Sequence, residues 1–224
     1  LSLRNYAKVL DNCNAYHEKQ TALIDFNDGA MIDLSVAYTM APHQWGPEVI
    51  FFMSTLPGFP LTSYIVDTTL YAAYASNDIR KKAWFKPSQG YYAYLGSYLR
   101  VRPHSSICTP EMYIMRAECF ARNNQIGKEM DDLNQLLKHR YETASFIPLT
   151  ASGREEALEL VLMERRKELL FYGLRWMDIK RLNEEGANIS ITRKLGDQTA
   201  VLPPRDPRFA MQLPSFLVET FGYI

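Results

Sequence analysis

The stretch from Glu164 to Arg181 constrains the fold more than any other: Glu-Arg-Arg-Lys-Glu-Leu-Leu-Phe-Tyr-Gly-Leu-Arg-Trp-Met-Asp-Ile-Lys-Arg. It contains no proline. Leu158, Leu162, Leu169, Tyr172 and Trp176 recur at intervals of three, four or seven residues, so they line one stripe of a helix. Glu164 and Glu168 lie one turn apart on a neighbouring stripe, Arg175 follows two turns later, and Asp178 three residues after that. A surface helix carries its charges opposite the apolar face. Here they flank it, so some are partly desolvated and have to be paired and hydrogen-bonded. Arg165, Arg166 and Arg175 are the partners that local spacing offers to the two glutamates. A carboxylate held by arginine is pulled below its usual pKa. That suits a structural anion better than a general acid, with an acid–base pair as the competing reading.

The rest of the chain falls into three stretches around this one. Residues 3–17 have helical spacing, but a helix this short needs a partner. Residues 18–108 lose the period and are punctuated by Gly29, Pro42, Gly46, Pro47, Pro57, Gly58, Pro60, Pro87 and Gly90, with short strands expected at Val49–Phe52 and Tyr91–Val101 and a helix between Tyr64 and Tyr74. Thr109 reads as an N-cap with Pro110 at the first helical position. A helix to Arg122, a turn at Asn123–Gly127 and a second helix bearing Met130, Leu133, Leu137 and Tyr141 form an αα-hairpin. A third helix starts near Ser152–Gly153 and reaches Phe171 or beyond, with Gly173 capping or bending it. Residues 184–224 read as irregular chain.

Composition excludes several classes of function. Of the 224 residues, 47% are apolar, enough for a core, while 25 basic and 25 acidic residues balance and leave no whole-chain field for nucleic acid. No stretch approaches the ~20 apolar residues that span a bilayer. Cys13, Cys108 and Cys119 are odd in number and widely spaced, which reads as buried free thiols and not as a zinc motif or a disulfide framework. His17, His43, His104 and His139 lack ligand spacing. No glycine-rich loop precedes a helix, and no serine sits in a nucleophile elbow. No metal, cofactor or catalytic residue is expected.

Aromatic residues carry the positive reading. Sugars present apolar C–H faces with a polar rim, so a flat ring beside hydrogen-bonding groups binds them. Tyr38, Trp45, Phe59 and Tyr64 lie in the Pro/Gly-rich stretch, where loops expose them; core packing is the alternative for each. Trp84, Tyr91, Tyr92, Tyr94 and Tyr98 read more readily as core.

The segment Glu164–Arg181 resembles the C-terminal signature of the SusD/RagB family. Leu23–Asn27, Pro47–Phe51, Asp78–Lys81, Glu111–Arg122 and Leu202–Phe209 resemble further segments of that family in the same order. Two positions depart from it. Many members carry Glu where this chain has Tyr172, and the closing segment of the family has asparagine where this chain has Arg205. The resemblance implies a mainly α, tetratricopeptide-like α/α superhelix with a long irregular region and minor β strands. Residues 1–224 would be the C-terminal portion of a single domain: a helix of an earlier repeat (1–20), an irregular region with short strands (21–108), a helical unit (109–183) and an irregular tail (184–224). It also implies a non-catalytic outer-membrane lipoprotein at the cell surface, attached only through an N-terminal lipid anchor absent from this chain. Such a protein binds oligo- or polysaccharide and delivers it to a TonB-dependent transporter of the SusC type. A tetratricopeptide-like scaffold binding a protein or peptide is the alternative, and a carbohydrate-active enzyme using Glu164 or Glu168 a third reading.

Overall fold

The computed structural model describes residues 1–29, 46–51, 64–96, 106–210 and 213–222. The fold is mainly α. In chain order the described elements are α1 (Tyr6–His17), β1 (Val49–Phe51), α2 (Thr68–Ala72), α3 (Ile79–Ala83), β2 (Phe85–Ser88), β3 (Tyr91–Tyr94), β4 (Ile107–Cys108), α4 (Thr109–Arg122), α5 (Ile126–Leu137), α6 (Arg154–Glu168), α7 (Arg175–Glu184), β5 (Ile191–Leu195), β6 (Gln198–Leu202) and α8 (Ser215–Phe221). The strands pair only as antiparallel couples: β1 with β4, β2 with β3, and β5 with β6. The chain divides into two compact units, one of Leu1 and Asn5–Gly173, the other of Ser2–Arg4 and Leu174–Ile224.

The first unit is built on α4, which packs against α1, α5 and α6. Its contact faces carry small residues. Ala117 and Ala121 of α4 and Ala157 of α6 are fully buried, and they let the helices approach while Ile114, Leu136 and Val161 fill the space between. Met130, Leu133 and Leu137 extend the core beneath Tyr141, Phe146 and Leu149. Each large buried side chain here contributes roughly 1.5–3 kcal/mol. Thr109 opens α4 from within, and Cys108 occupies the N-cap without a side-chain bond. The Thr109 hydroxyl is already engaged, by Tyr16 Oη at 2.7 Å and by the Glu48 carbonyl at 3.3 Å. That is why it joins α1 and β1 to α4 in place of capping. The third helix stops at Glu168, short of Phe171, because Phe171 (φ 62°) and Gly173 (φ 79°) turn the chain left-handed; α7 then begins a separate helix at Arg175.

In the second unit, Trp176 of α7 packs on Phe209, ring centres 4.8 Å apart, and Asp178 pairs with Arg181 at 2.9 Å. The tail is more regular than its polarity suggests. Gly196-Asp197 closes a two-residue hairpin between β5 and β6, with Leu195 opposite Gln198 and Gly196 at φ 60°, and α8 follows. Two-residue loops with glycine in the left-handed region match the twist of paired strands.

Candidate functional site

Two constellations stand out in the first unit. One is ionic and closed; the other is aromatic and half open.

The ionic one gathers Glu164 and Glu168, but not around the arginines that spacing offered. Four carboxylates, Glu48, Asp78, Glu164 and Glu168, meet three cations, Arg80, Arg140 and Lys167, all of them buried. Arg80 donates to Glu168 at 2.7 Å, to Glu164 at 2.9 Å and to both oxygens of Asp78 at 2.9 and 2.7 Å. Arg140 donates to Glu168 at 2.9 Å, to Glu48 at 2.8 Å and to the Ile24 carbonyl at 2.7 Å. Lys167 donates to Glu164 at 2.6 Å. Arg165 instead lies 3.9 Å from Glu111, and Arg166 3.7 Å from Asp67. Burial pushes the Asp78 carboxyl up, yet Arg80 and then Lys167 bring it below the usual carboxylate range. Burial works against the Arg80 charge too, and Asp78 and Glu164 outweigh it. Every member is held by fixed counter-charges and shut from solvent. Glu164 and Glu168 are therefore anchors that bind α3, β1 and the Ile24 segment to α6, without the open approach an acid or base needs.

The aromatic constellation lies on one face of the β2–β3 hairpin. Tyr64–Val66 run alongside β3: Tyr94 N–H donates to the Tyr64 carbonyl and Val66 N–H to the Tyr92 carbonyl, both at 2.9 Å. Since alternate residues share a face, Tyr64, Tyr92 and Tyr94 point the same way as Phe85. Tyr74, Phe85 and Tyr94 form the buried floor. Phe171 reaches into it from the turn after α6, 4.9 Å from Tyr94 and 5.6 Å, edge to face, from Tyr64. Tyr71 of α2 stacks on Tyr92 with ring centres 3.5 Å apart, and the Lys81 ammonium lies 4.9 Å from the centre of the Tyr71 ring. Burial, then the hydrogen bond with Tyr92, pushes the Tyr71 hydroxyl up to about 12, so it stays protonated. Tyr64, Tyr71 and Tyr92 are only half-buried, and make a tyrosine rim over a buried floor. Tyr91 points to the opposite face and is 54% exposed.

Of the residues singled out in the sequence, Tyr64 sits in this rim, while Tyr38, Trp45 and Phe59 lie outside the described residues. Tyr71 and Tyr92 were not expected there. Alternation along Tyr91–Tyr94 was the available signal for Tyr92; the stacking of Tyr71 on it depends on where α2 docks. Among the described residues no group of His, Cys, Asp and Glu side chains is placed to hold a metal ion.

Residues 109–210 match the sequence profile of the SusD family. This matched stretch, just under half of the chain, is similar to the SusD family. No curated protein matches it. Among solved structures, the chain is similar to a SusD superfamily protein from Bacteroides fragilis, with a TM-score of 0.64 and 16% identity over 97% of this chain and 52% of that one. It is also similar to a SusD-like carbohydrate binding protein from Bacteroides vulgatus, with a TM-score of 0.56 and 17% identity over 89% of this chain and 47% of that one. A SusD-like protein from Bacteroides fragilis gives 0.58 and 14% over 92% and 57%. At these identities the likeness is one of fold. The chain spans about half the length of these structures.

Proposed function

We propose that the chain is part of a non-catalytic SusD-type protein that binds glycan at the cell surface and delivers it to a TonB-dependent transporter of the SusC type in the outer membrane, held there by an N-terminal lipid anchor. The helices would stack as a tetratricopeptide-like superhelix, and residues 1–224 would form the C-terminal portion of one domain. The observation that carries the binding reading is the half-buried rim of Tyr64, Tyr71 and Tyr92 on a buried aromatic floor. Rings fixed in place stack on the C–H face of a sugar with little ordering cost, and their hydroxyls supply donors and acceptors at the edge. Tyr38, Trp45 and Phe59 remain the proposed loop contributors. Among the described residues no helix is long and apolar enough to cross a membrane.

The test is electrophoresis of the full-length protein through native gels containing starch, pectin, arabinoxylan or chondroitin sulfate. One of these polysaccharides is expected to retard the protein. Tyr92→Ala is expected to restore much of the mobility while the melting midpoint stays within a few degrees of wild type. Equal retardation of Tyr64→Ala, Tyr92→Ala and wild type removes the rim from the site. Retardation by none of them, with retention on an immobilised peptide library, replaces the glycan reading with peptide binding.

A further inference from the structure

A second concavity lies wholly within the second unit. It is a cleft of about 230 Å³ lined by Lys180, Asn183 and Glu184 of α7 and by Arg205, Asp206, Pro207, Phe209 and Ala210 of the closing segment. Its floor is apolar: Phe209 is buried and backed by Trp176. Its rim is charged. The Lys180 and Glu184 side chains are exposed, and neither forms an ion pair among the described residues. Asp206 is occupied by Arg208 at 2.8 Å and contributes no free charge.

Arg205 sets this cleft apart. Its backbone is left-handed, φ 59°, a region that asparagine enters readily and a long side chain at a cost. Arginine here accepts backbone strain to place a guanidinium at the end of α7. Nε donates to the Asn183 carbonyl at 3.1 Å and Nη2 to the Glu184 carbonyl at 3.5 Å. These bonds satisfy the last turn of the helix, favourable for a cation at its negative end, and fix the planar group in orientation. The Nη1 donors take no part in either bond. The cleft thus offers a pre-oriented guanidinium and a lysine for an anion, a free carboxylate one helical turn from Lys180 for hydroxyl groups, and an aromatic floor for C–H bonds. A plain anion would meet repulsion from Glu184 without using the floor. A neutral sugar would leave the cleft with one uncompensated positive charge, since Glu184 offsets only one of the two cations. A pyranose bearing a carboxylate uses all of them, and a cleft this size holds one ring.

We propose that this cleft binds a single sugar acid, with Arg205 and Lys180 on its carboxylate and Glu184 accepting from its hydroxyls. The choice of sugar rests on the glycan reading above, but the residues are separate from the tyrosine rim, so either site can fail alone. The effect of Arg205 is on specificity: it selects charged sugar units over neutral ones.

The experiment is an amide chemical-shift titration of the full-length protein with D-galacturonate, its methyl ester, D-galactose and sodium phosphate. Galacturonate is expected to shift the amides of residues 180–184 and 205–210, with the ester and galactose weaker by about tenfold or more, the loss of a charge-assisted contact. Arg205→Asn keeps a residue suited to the left-handed backbone, so it is expected to fold with an equal or higher melting midpoint and to lose galacturonate binding by a similar factor. Lys180→Gln is expected to weaken it less. Galactose binding as tightly as galacturonate, phosphate producing the same shifts at the same concentration, Arg205→Asn titrating like wild type, or no shift in wild type at roughly tens of millimolar would each overturn the proposal. Loss of this binding with polysaccharide retardation intact leaves the tyrosine rim standing.

Discussion

Arg80 and Glu168 stand 88 residues apart in sequence and 2.7 Å apart in the fold, and neither side chain is more than 2% exposed. The same carboxylate takes Arg140 on its other oxygen. Glu168 is thus the anion shared by two buried guanidiniums, one from the irregular stretch and one from just beyond α5. Replacing it with alanine takes one buried counter-charge from each, leaving Arg80 on Asp78 and Glu164 and Arg140 on Glu48. Glu168→Ala is expected to destabilise the protein by about 3–5 kcal/mol, read as a lowered urea midpoint. Glu168→Gln, which keeps the shape but drops the charge, is expected to fall between the two. A midpoint unchanged by Glu168→Ala would mean that the network is hydrated and interchangeable.

Glu168 also shows how far the sequence could be read. That charges flanking an apolar stripe must be buried and paired follows from local spacing, and Glu164, Arg165, Lys167 and Glu168 are indeed buried. Their partners do not follow from it. Asp78 and Arg80 lie more than 80 residues upstream, and long-range ionic contacts leave no period in the chain. Local chemistry located the start of α4 at Thr109, the Asn123 turn, and β1. It missed the β5–β6 hairpin, although Gly196-Asp197 was a sufficient turn signal, because the flanking residues are mostly polar and exposed. The tyrosine rim was half legible. Tyr64 was marked by its surroundings of Pro and Gly, whereas Tyr71 and Tyr92 meet only once the hairpin and α2 are docked.

Phe171 offers a measurement of stored strain. A bulky residue at φ 62° is uncommon, and it is held there by its ring between Tyr64 and Tyr94. Phe171→Ala and Phe171→Gly remove the same ring and differ only in the backbone left behind. Glycine enters this region freely and alanine does not. Both variants are expected to be less stable than wild type, with glycine above alanine by about 1 kcal/mol in denaturant titration, the reverse of the usual order. Alanine equal to or above glycine would show that the turn relaxes when the ring goes.

The three cysteines are expected to be inert while the fold lasts. Burial pushes the thiol of Cys13 up to about 11 and those of Cys108 and Cys119 to about 12. At pH 8 the thiolate, the reactive form, is then roughly one part in a thousand or less. A chromogenic disulfide reagent should label none in native buffer and all three in urea. Rapid labelling of a native cysteine would show that α1, β4 or α4 opens locally.

Glu129 is the group whose titration should be visible in the stability of the whole chain. It lies in the first turn of α5, fully buried, and neither carboxylate oxygen has a hydrogen-bond partner among the described residues. Burial, with the field of Asp132 one turn on, raises its carboxyl from an ordinary value of 4.5 to about 8. The folded chain keeps this proton up to about pH 8, whereas the unfolded chain gives it up near 4.5. Between those values unfolding releases a proton, so the contribution of Glu129 to stability falls as pH rises and stays low above the folded pKa. Asp78, held below its usual range by Arg80, acts in the opposite sense: its contribution is present above the unfolded pKa and is lost as pH falls through the folded one. Glutamine at position 129 keeps the shape and removes the ionisation. Glu129→Gln is expected to be more stable than wild type by about 1–3 kcal/mol at pH 8.5 and close to wild type at pH 4.5, with chemical denaturation at both values as the measurement. A gain of the same size at both pH values, or none at pH 8.5, would show that Glu129 finds a partner in the folded protein and titrates normally.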